Sequence, residues 1–257
     1  MQYSYTDFEC MGTVFRFSFE REQLELADNL LPSAMALLEE ADSRFSTYKP
    51  NSEVSRIRMG ELALNLASWE TQLVASEADG WMEKTAGHFN PIDPSGLWDP
   101  SGLVKAWATQ GAANLFESQG LTAFTINAGG DVLIGSGVSY PQLGRVGIAN
   151  GRSIASEAIA PIAVVDLQGT EFAAVATSGT AERGHHIWGG SLLQATVVAP
   201  DIVTADIWAT AIVAGGLEQA RLESSIEFLV LRENGETESS SGFDKLALEL
   251  SAIGGNK

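Results

Sequence analysis

Cysteine is almost absent: Cys10 is the single one in 257 residues, so no internal disulfide can form and no cluster of thiolates can hold zinc. Basic residues are scarce as well. Fifteen Lys and Arg stand against 33 Asp and Glu, a formal charge of −18, which repels nucleic acid and anionic membrane surfaces at long range and argues against a polynucleotide partner. An anionic nucleotide would need a local device to capture it, such as a metal, a lysine or backbone N–H groups. No apolar run approaches the roughly 20 residues of a membrane helix. The opening stretch 1–9 is polar and acidic and has neither the basic nor the apolar region of a secretory or lipoprotein leader, which leads to the expectation of a cytoplasmic protein. Histidine is limited to His88, His185 and His186, so a role that needs imidazole has few candidates.

What is present is enough for a core, with 45% hydrophobic residues over a length that suits one large domain. Residues 13–19 alternate like a strand with one buried face, and 21–44 carry helix-periodic Leu and Ala, with an interruption expected near Pro32. A loop is expected over 47–59. A second helix is expected over 66–85, with Trp69, Leu73, Val74 and Trp81 near one stripe and Gly87 ending it, and a third over 101–118 after Pro100. Short strands at 122–127 and 132–134 are joined by Gly129-Gly130, a tight turn or a place where backbone N–H groups approach a ligand. Further strand-like runs lie at 145–148, 160–167, 172–176, 194–199 and 226–231, and 246–253 reads as a final strand or helix. The strands cluster instead of alternating with helices. This predicts an α+β fold, one domain over 1–257 with mixed, largely antiparallel sheets packed against helices, in preference to a doubly wound parallel sheet.

The stretch Thr204-Ala205-Asp206-Ile207-Trp208-Ala209-Thr210 stands out as a source of chemistry. With Thr204 as N-cap and Gly215-Gly216 as the stop, Asp206 and Thr210 share one helix face, i and i+4. Two oxygen ligands so placed suit a small hard cation such as magnesium, with phosphates and water completing its shell. The plainer explanation is that Asp206 favours the positive end of the helix dipole and Thr210 fills a packing gap.

Other loops carry residues that packing does not demand. In chain order they are Met11-Gly12-Thr13, the segment from Phe45 through Tyr48 to Glu53, His88-Phe89-Asn90-Pro91, Asp99-Pro100-Ser101-Gly102-Leu103-Val104-Lys105, Asn127-Ala128-Gly129-Gly130-Asp131, Thr177-Ser178-Gly179 and His185-His186-Ile187. As an ordered set over 11–216 they resemble the FAD:protein FMN transferase, or ApbE-like, family. The resemblance implies an ApbE-like fold and binding of FAD with magnesium. It further implies transfer of the FMN moiety to a threonine hydroxyl of a target flavoprotein, with release of AMP. By the same resemblance Asp206, Thr210 and the main-chain carbonyl of Gly102 hold magnesium, and Asp99 and Lys105 contact FAD. Met11, Tyr48, His88, Phe89, Asn90 and Trp188 match cofactor-contacting positions, and His186 is the general base. Plainer explanations stand beside these: a solvated helix lysine for Lys105, a half-buried anchor for Tyr48 and a structural histidine for His186.

The chain also departs from the family pattern. Asn90 stands where the family usually has Asp, Ala106 follows Lys105 where glycine is common, and the family's Asp-Pro-x-Thr-Gly stretch after the histidine is missing, so that Trp188-Gly189-Gly190-Ser191 leads almost directly into 194–198. Two further readings therefore accompany the transferase: an FAD pyrophosphatase in which water replaces threonine, and a flavin-binding protein without turnover.

Overall fold

The computed structural model describes residues 2–151, 161–179 and 192–250. Two strands, β1 (Tyr3–Cys10) and β2 (Thr13–Glu20), form a hairpin that leads into a long helix, α1 (Leu24–Phe45). Then follow the helices α2 (Glu53–Arg58), α3 (Trp69–Lys84) and α4 (Ser101–Ser118). Next come β3 (Phe124–Ala128), β4 (Asp131–Ile134), a helical turn α5 (Pro141–Gly144), β5 (Arg145–Ile148), β6 (Ala163–Asp166), β7 (Ala174–Gly179) and β8 (Leu192–Ala199). Helix α6 (Ile202–Ala211) passes through a π-turn at Ile212–Gly216 into α7 (Leu217–Ala220). The last elements are β9 (Glu227–Arg232), β10 (Thr237–Ser239), α8 (Phe243–Leu246) and β11 (Ala247–Leu250).

Eight strands form one sheet in the order β1-β2-β3-β4-β7-β8-β9-β10, and three form another, β11-β6-β5. Every strand pairing among the described residues is antiparallel, which bears out the α+β expectation and leaves no βαβ crossover to make a doubly wound sheet. The centre of the large sheet, around β4, β7, β8 and β9, is buried on both faces, and the two-residue period of its strands divides the side chains. Leu133, Ala174, Ala176, Val197, Phe228 and Val230 join the helices α1, α4 and α6 in the larger core, whereas Val132, Ile134, Val175, Val198 and Leu229 meet Val146, Ile148 and Val165 of the small sheet. The result is three layers: helices, large sheet, small sheet. Double burial explains why Val132-Leu133-Ile134 of β4 reads as an apolar run without alternation.

Several local expectations are corrected. Helix α1 runs through Pro32 without interruption. Pro32 and Asp28 lie on the exposed side, where the carbonyl deprived of its partner reaches water. The expected loop 47–59 contains α2, whose N-cap Ser52 accepts a hydrogen bond from Ser55 N at 2.9 Å; six residues are too few to show a helical period. Trp69 and Leu73 are exposed, while Val74 is buried, because α3 packs through Thr71, Val74, Ala75 and Ala78. Of the run 246–253 expected as a strand or a helix, Leu246 ends α8, 247–250 form β11, and 251–253 lie outside the described residues. No helix among the described residues is long and apolar enough to cross a membrane.

Candidate functional site

Antiparallel connectivity brings distant motifs to one end of the large sheet. The β1–β2 turn is Met11-Gly12 with φ of 52° and 70°, and the β3–β4 turn is Gly129-Gly130 with φ of 66° and 107°, the left-handed geometry of two-residue hairpins. The turns touch: a Cβ on Gly129 would collide with the Thr13 side chain, and Gly129 N donates to Val14 O at 3.1 Å. Gly130 N donates to Asn127 Oδ1 at 2.8 Å. Both N–H groups of this turn are therefore already used within the protein, which favours a tight structural turn over a backbone anion cradle. Beside Met11, burial and then the charge of Asp42 push the Cys10 thiol above its usual range, so it is not a thiolate.

Asp131 follows directly and faces a buried lysine. The Lys105 ammonium is ion-paired with Asp131 Oδ2 and lies 3.6 Å from Asp206 Oδ2. Exposures of 9%, 3% and 4% for Lys105, Asp131 and Asp206 rule out a solvated helix lysine. The other Asp131 oxygen accepts from Thr177 N at 2.9 Å, so one carboxylate joins β4, β7 and α4. The next residue along β7, Ser178, places its Oγ 3.1 Å from Thr210 Oγ1.

Helix α6 begins earlier than expected. Its N-cap is Asp201, which accepts from Thr204 N at 2.8 Å and from Thr204 Oγ1 at 2.7 Å, so Thr204 lies inside the first turn as the partner of the cap. Asp206 consequently sits in the second turn, beyond the reach of the helix-end partial charge, and the dipole explanation for it falls. The buried carboxylate answers to Lys105.

Loop 88–99 and the start of α4 carry most of the remaining candidates. Phe89 is buried, its N–H donates to Thr85 Oγ1 at 3.0 Å, and its ring edge lies so close to Gly102 that a Cβ there would stand only 3.3 Å from Cε2. A side chain at Gly102 would therefore crowd Phe89. Asn90 is exposed and its Oδ1 accepts from Ile92 N at 2.9 Å, a turn-forming bond that an amide makes as well as a carboxylate. Asp99 Oδ1 accepts from Ser101 N at 3.0 Å. His88 Nδ1 lies 3.4 Å from Ala214 O in the π-turn that continues α6, tying this loop to the helix that bears Asp206 and Thr210. Tyr48 is 95% exposed and is not a half-buried anchor. His186 and Trp188 lie outside the described residues.

Arg58, Asp131 and Ser178 gained no role from sequence. Arg58 Nη2 donates to Asp93 Oδ2 at 2.6 Å, Nη1 donates to Trp98 O at 3.0 Å, and Nη1 also lies 3.9 Å from Asp99 Oδ2. The Leu97 N–H and the Arg58 guanidinium hold the Asp93 carboxyl below the usual range. One guanidinium on α2 therefore pins the loop that carries Asn90 and Asp99. Asp131 and Ser178 had a faint signal in their motifs, but only folding puts them opposite Lys105 and Thr210.

The arrangement suits a hard divalent cation. Asp206 and Thr210 offer a carboxylate and a hydroxyl one turn apart, and two buried carboxylates share one ammonium, a formal surplus of negative charge. The described residues contain no group of three or more His, Cys, Asp or Glu that could hold a metal. A cation there would take few protein ligands and complete its shell with phosphate oxygens and water, as magnesium does.

Residues 93–225 match the profile of the ApbE family, a span that includes Asp99, Gly102, Lys105, Asp131, Ser178, Asp206 and Thr210. A search of curated protein sequences finds no match. Among solved structures, the chain is similar to the ApbE protein of Thermotoga maritima, with 19% identity, coverage of 96% of this chain and 100% of that one, and a TM-score of 0.78. It is similar to the flavin transferase ApbE of Vibrio cholerae, with 20% identity, coverage of 95% and 99%, and a TM-score of 0.76. The apo flavinyl transferase ApbE of Pseudomonas stutzeri gives 18% identity, coverage of 96% and 97%, and a TM-score of 0.70. At these identities the likeness is one of fold.

Proposed function

Because the chain belongs to the ApbE family, we propose that it is an FAD:protein FMN transferase, which moves the FMN moiety of FAD to a threonine hydroxyl of a target flavoprotein and releases AMP. The observation that carries this reading is the buried group Lys105, Asp131 and Asp206 beside the Ser178–Thr210 hydroxyl pair, in a protein whose charge of −18 otherwise repels a dinucleotide. A negative enzyme needs a local cation to hold a pyrophosphate, and the carboxylate surplus of this group gives a divalent ion a place to bind.

In this proposal Asp206, Thr210 and the Gly102 carbonyl would hold magnesium, which would supply charge neutralisation for the pyrophosphate. Lys105 adds a fixed ammonium to the same region, and Asp131 orients it. The loop with His88, Phe89, Asn90 and Asp99, together with Met11, Tyr48 and Trp188, contacts FAD. Phe89 is set by its packing on Gly102, whereas the exposed Tyr48 ring is available to stack on a flat ligand. In the reaction the acceptor oxygen forms a bond to the phosphorus of the FMN half, the bond to the bridging oxygen breaks, and AMP leaves with that oxygen. His186 takes the proton of the acceptor hydroxyl, a task suited to a group of ordinary pKa near 6.5.

The missing stretch after His186 supports a second reading, an FAD pyrophosphatase in which water attacks. Incubation with FAD, magnesium and a flavoprotein acceptor should give covalent FMN by mass spectrometry and one AMP per flavin attached. Free FMN with AMP and no covalent product on a competent acceptor would make it a hydrolase. Tight FAD binding with no AMP under either condition would leave only a flavin-binding protein.

A further inference from the structure

Lys105 and a divalent cation compete for the same carboxylate. The ammonium already lies 3.6 Å from Asp206 Oδ2, and in a site with exposures of 9%, 3% and 4% for Lys105, Asp131 and Asp206 water screens little of that attraction. If Asp206 were its whole counter-charge, the pair would be neutral and closed to a metal. Asp131 prevents this. Its Oδ2 makes the closer contact with Lys105, and its Oδ1 is held by the Thr177 N–H at 2.9 Å, so the carboxylate is anchored to β7. Because α4 packs against both sheet and α6 through buried Leu103, Val104, Ala106, Ala108 and Thr109, the lysine backbone is fixed as well.

We propose that Asp131 is a positioning residue which draws Lys105 off Asp206 and thereby keeps Asp206 available to a divalent cation. The inference rests on the assignment of magnesium to Asp206. On this account Lys105 balances charge in the metal-free protein and keeps its contact with Asp131 when a cation takes over at Asp206, so that the buried site never holds two unscreened carboxylates.

The test uses the full chain and Mn2+ as the probe, with free Mn2+ counted by electron paramagnetic resonance, with and without FAD, so that turnover is not the readout. Asp131→Asn keeps an acceptor for the Thr177 N–H but removes the charge, and Mn2+ binding should weaken by about 10- to 100-fold, the range found when groups that orient metal ligands are lost. Lys105→Met in the Asp131→Asn background removes the competitor and should restore most of that loss, a rescue that a merely structural role would not produce. Mn2+ affinity of Asp131→Asn within twofold of wild type, or a double variant as weak as the single one, would overturn the proposal. Asp206→Asn separates it from the reading beneath it. Loss of Mn2+ binding in Asp206→Asn but not in Asp131→Asn refutes the counter-charge alone, whereas unchanged binding in Asp206→Asn, or no uptake by wild type, refutes the metal assignment and this inference together.

Discussion

Replacing Lys105 with Met is the most informative single change, because it keeps the aliphatic stem and deletes only the ammonium between two buried carboxylates. At an effective dielectric constant of about 20, unit charges separated by the 3.6 Å between Lys105 and Asp206 attract by roughly 4.6 kcal/mol, and Asp131 is closer still. Sparing the cost of burying an ammonium returns part of this, so the expected net loss is about 3–5 kcal/mol, the usual result of stranding one side of a buried ion pair. That is a large share of the ~5–15 kcal/mol by which domains are stable. Urea unfolding followed by tryptophan fluorescence suits the measurement, since Trp208 is buried on α6. A second substitution tests the cause. Lys105→Met with Asp131→Asn should be less destabilised than the two single variants predict in sum, by about 2 kcal/mol or more, because the stranded carboxylate is gone. Magnesium should stabilise Lys105→Met more than wild type, following the linkage between ligand concentration and Kd. A loss below about 1 kcal/mol, or additivity within ~0.5 kcal/mol, would refute the view that these three charges form one unit.

Other consequences follow from the same geometry. Arg58→Ala should release loop 91–99, seen as faster amide exchange at Leu97 and Asp99 and a rise in the KM for FAD of about tenfold with a smaller change in kcat; unchanged exchange would show that Arg58 does not pin the loop. Gly129→Ala and Gly129→Asn should both cost about 1–3 kcal/mol in thermal or urea unfolding, because the collision with Thr13 persists even for asparagine, which tolerates positive φ. Equal tolerance of asparagine there and at Gly130 would mean that backbone conformation alone matters. Burial raises the Glu53 carboxyl, but hydrogen bonds from Thr71 and Ser68 outweigh it and hold the group below its ordinary value. Stability from a depressed carboxylate is present above its unfolded pKa of about 4.3 and is lost as pH falls through the lower folded value. The advantage of wild type over Glu53→Gln should therefore be full at pH 6 and fade below pH 4, and a pH-independent difference would contradict it.

Much of this architecture was legible from local pattern. Apolar alternation marked β2 and helix-periodic Leu and Ala marked α1, because these segments bury one face or one stripe and sequence spacing records which, while Pro100 marked the start of α4. The errors share a cause. Pro32 looked like a break since its effect depends on whether the freed carbonyl faces water, and α2 was passed over since six residues carry less signal than the cap at Ser52. Thr204 looked like the N-cap because Asp201 and Thr204 are both good capping residues, and only the hydrogen bonds decide between them. For the site, Asp206 and Thr210 were visible as an i, i+4 pair and Lys105 as a member of a motif.

By itself the sequence determined the class of the fold, the negative field any nucleotide must overcome, and the helix face that offers a carboxylate and a hydroxyl. These are properties of composition and short-range spacing, which the chain carries before it folds. Tertiary structure alone decided that Lys105 is buried between Asp131 and Asp206, that Ser178 meets Thr210, and that Arg58 reaches across to Asp93 and Asp99. Those partners are separated by 26 and more residues, and nothing in local spacing encodes a meeting produced by strand register, which sets Val132 against Val175 and so brings Asp131 to Thr177. Charge in this protein is a matter of sequence; which charge answers which is a matter of the sheet.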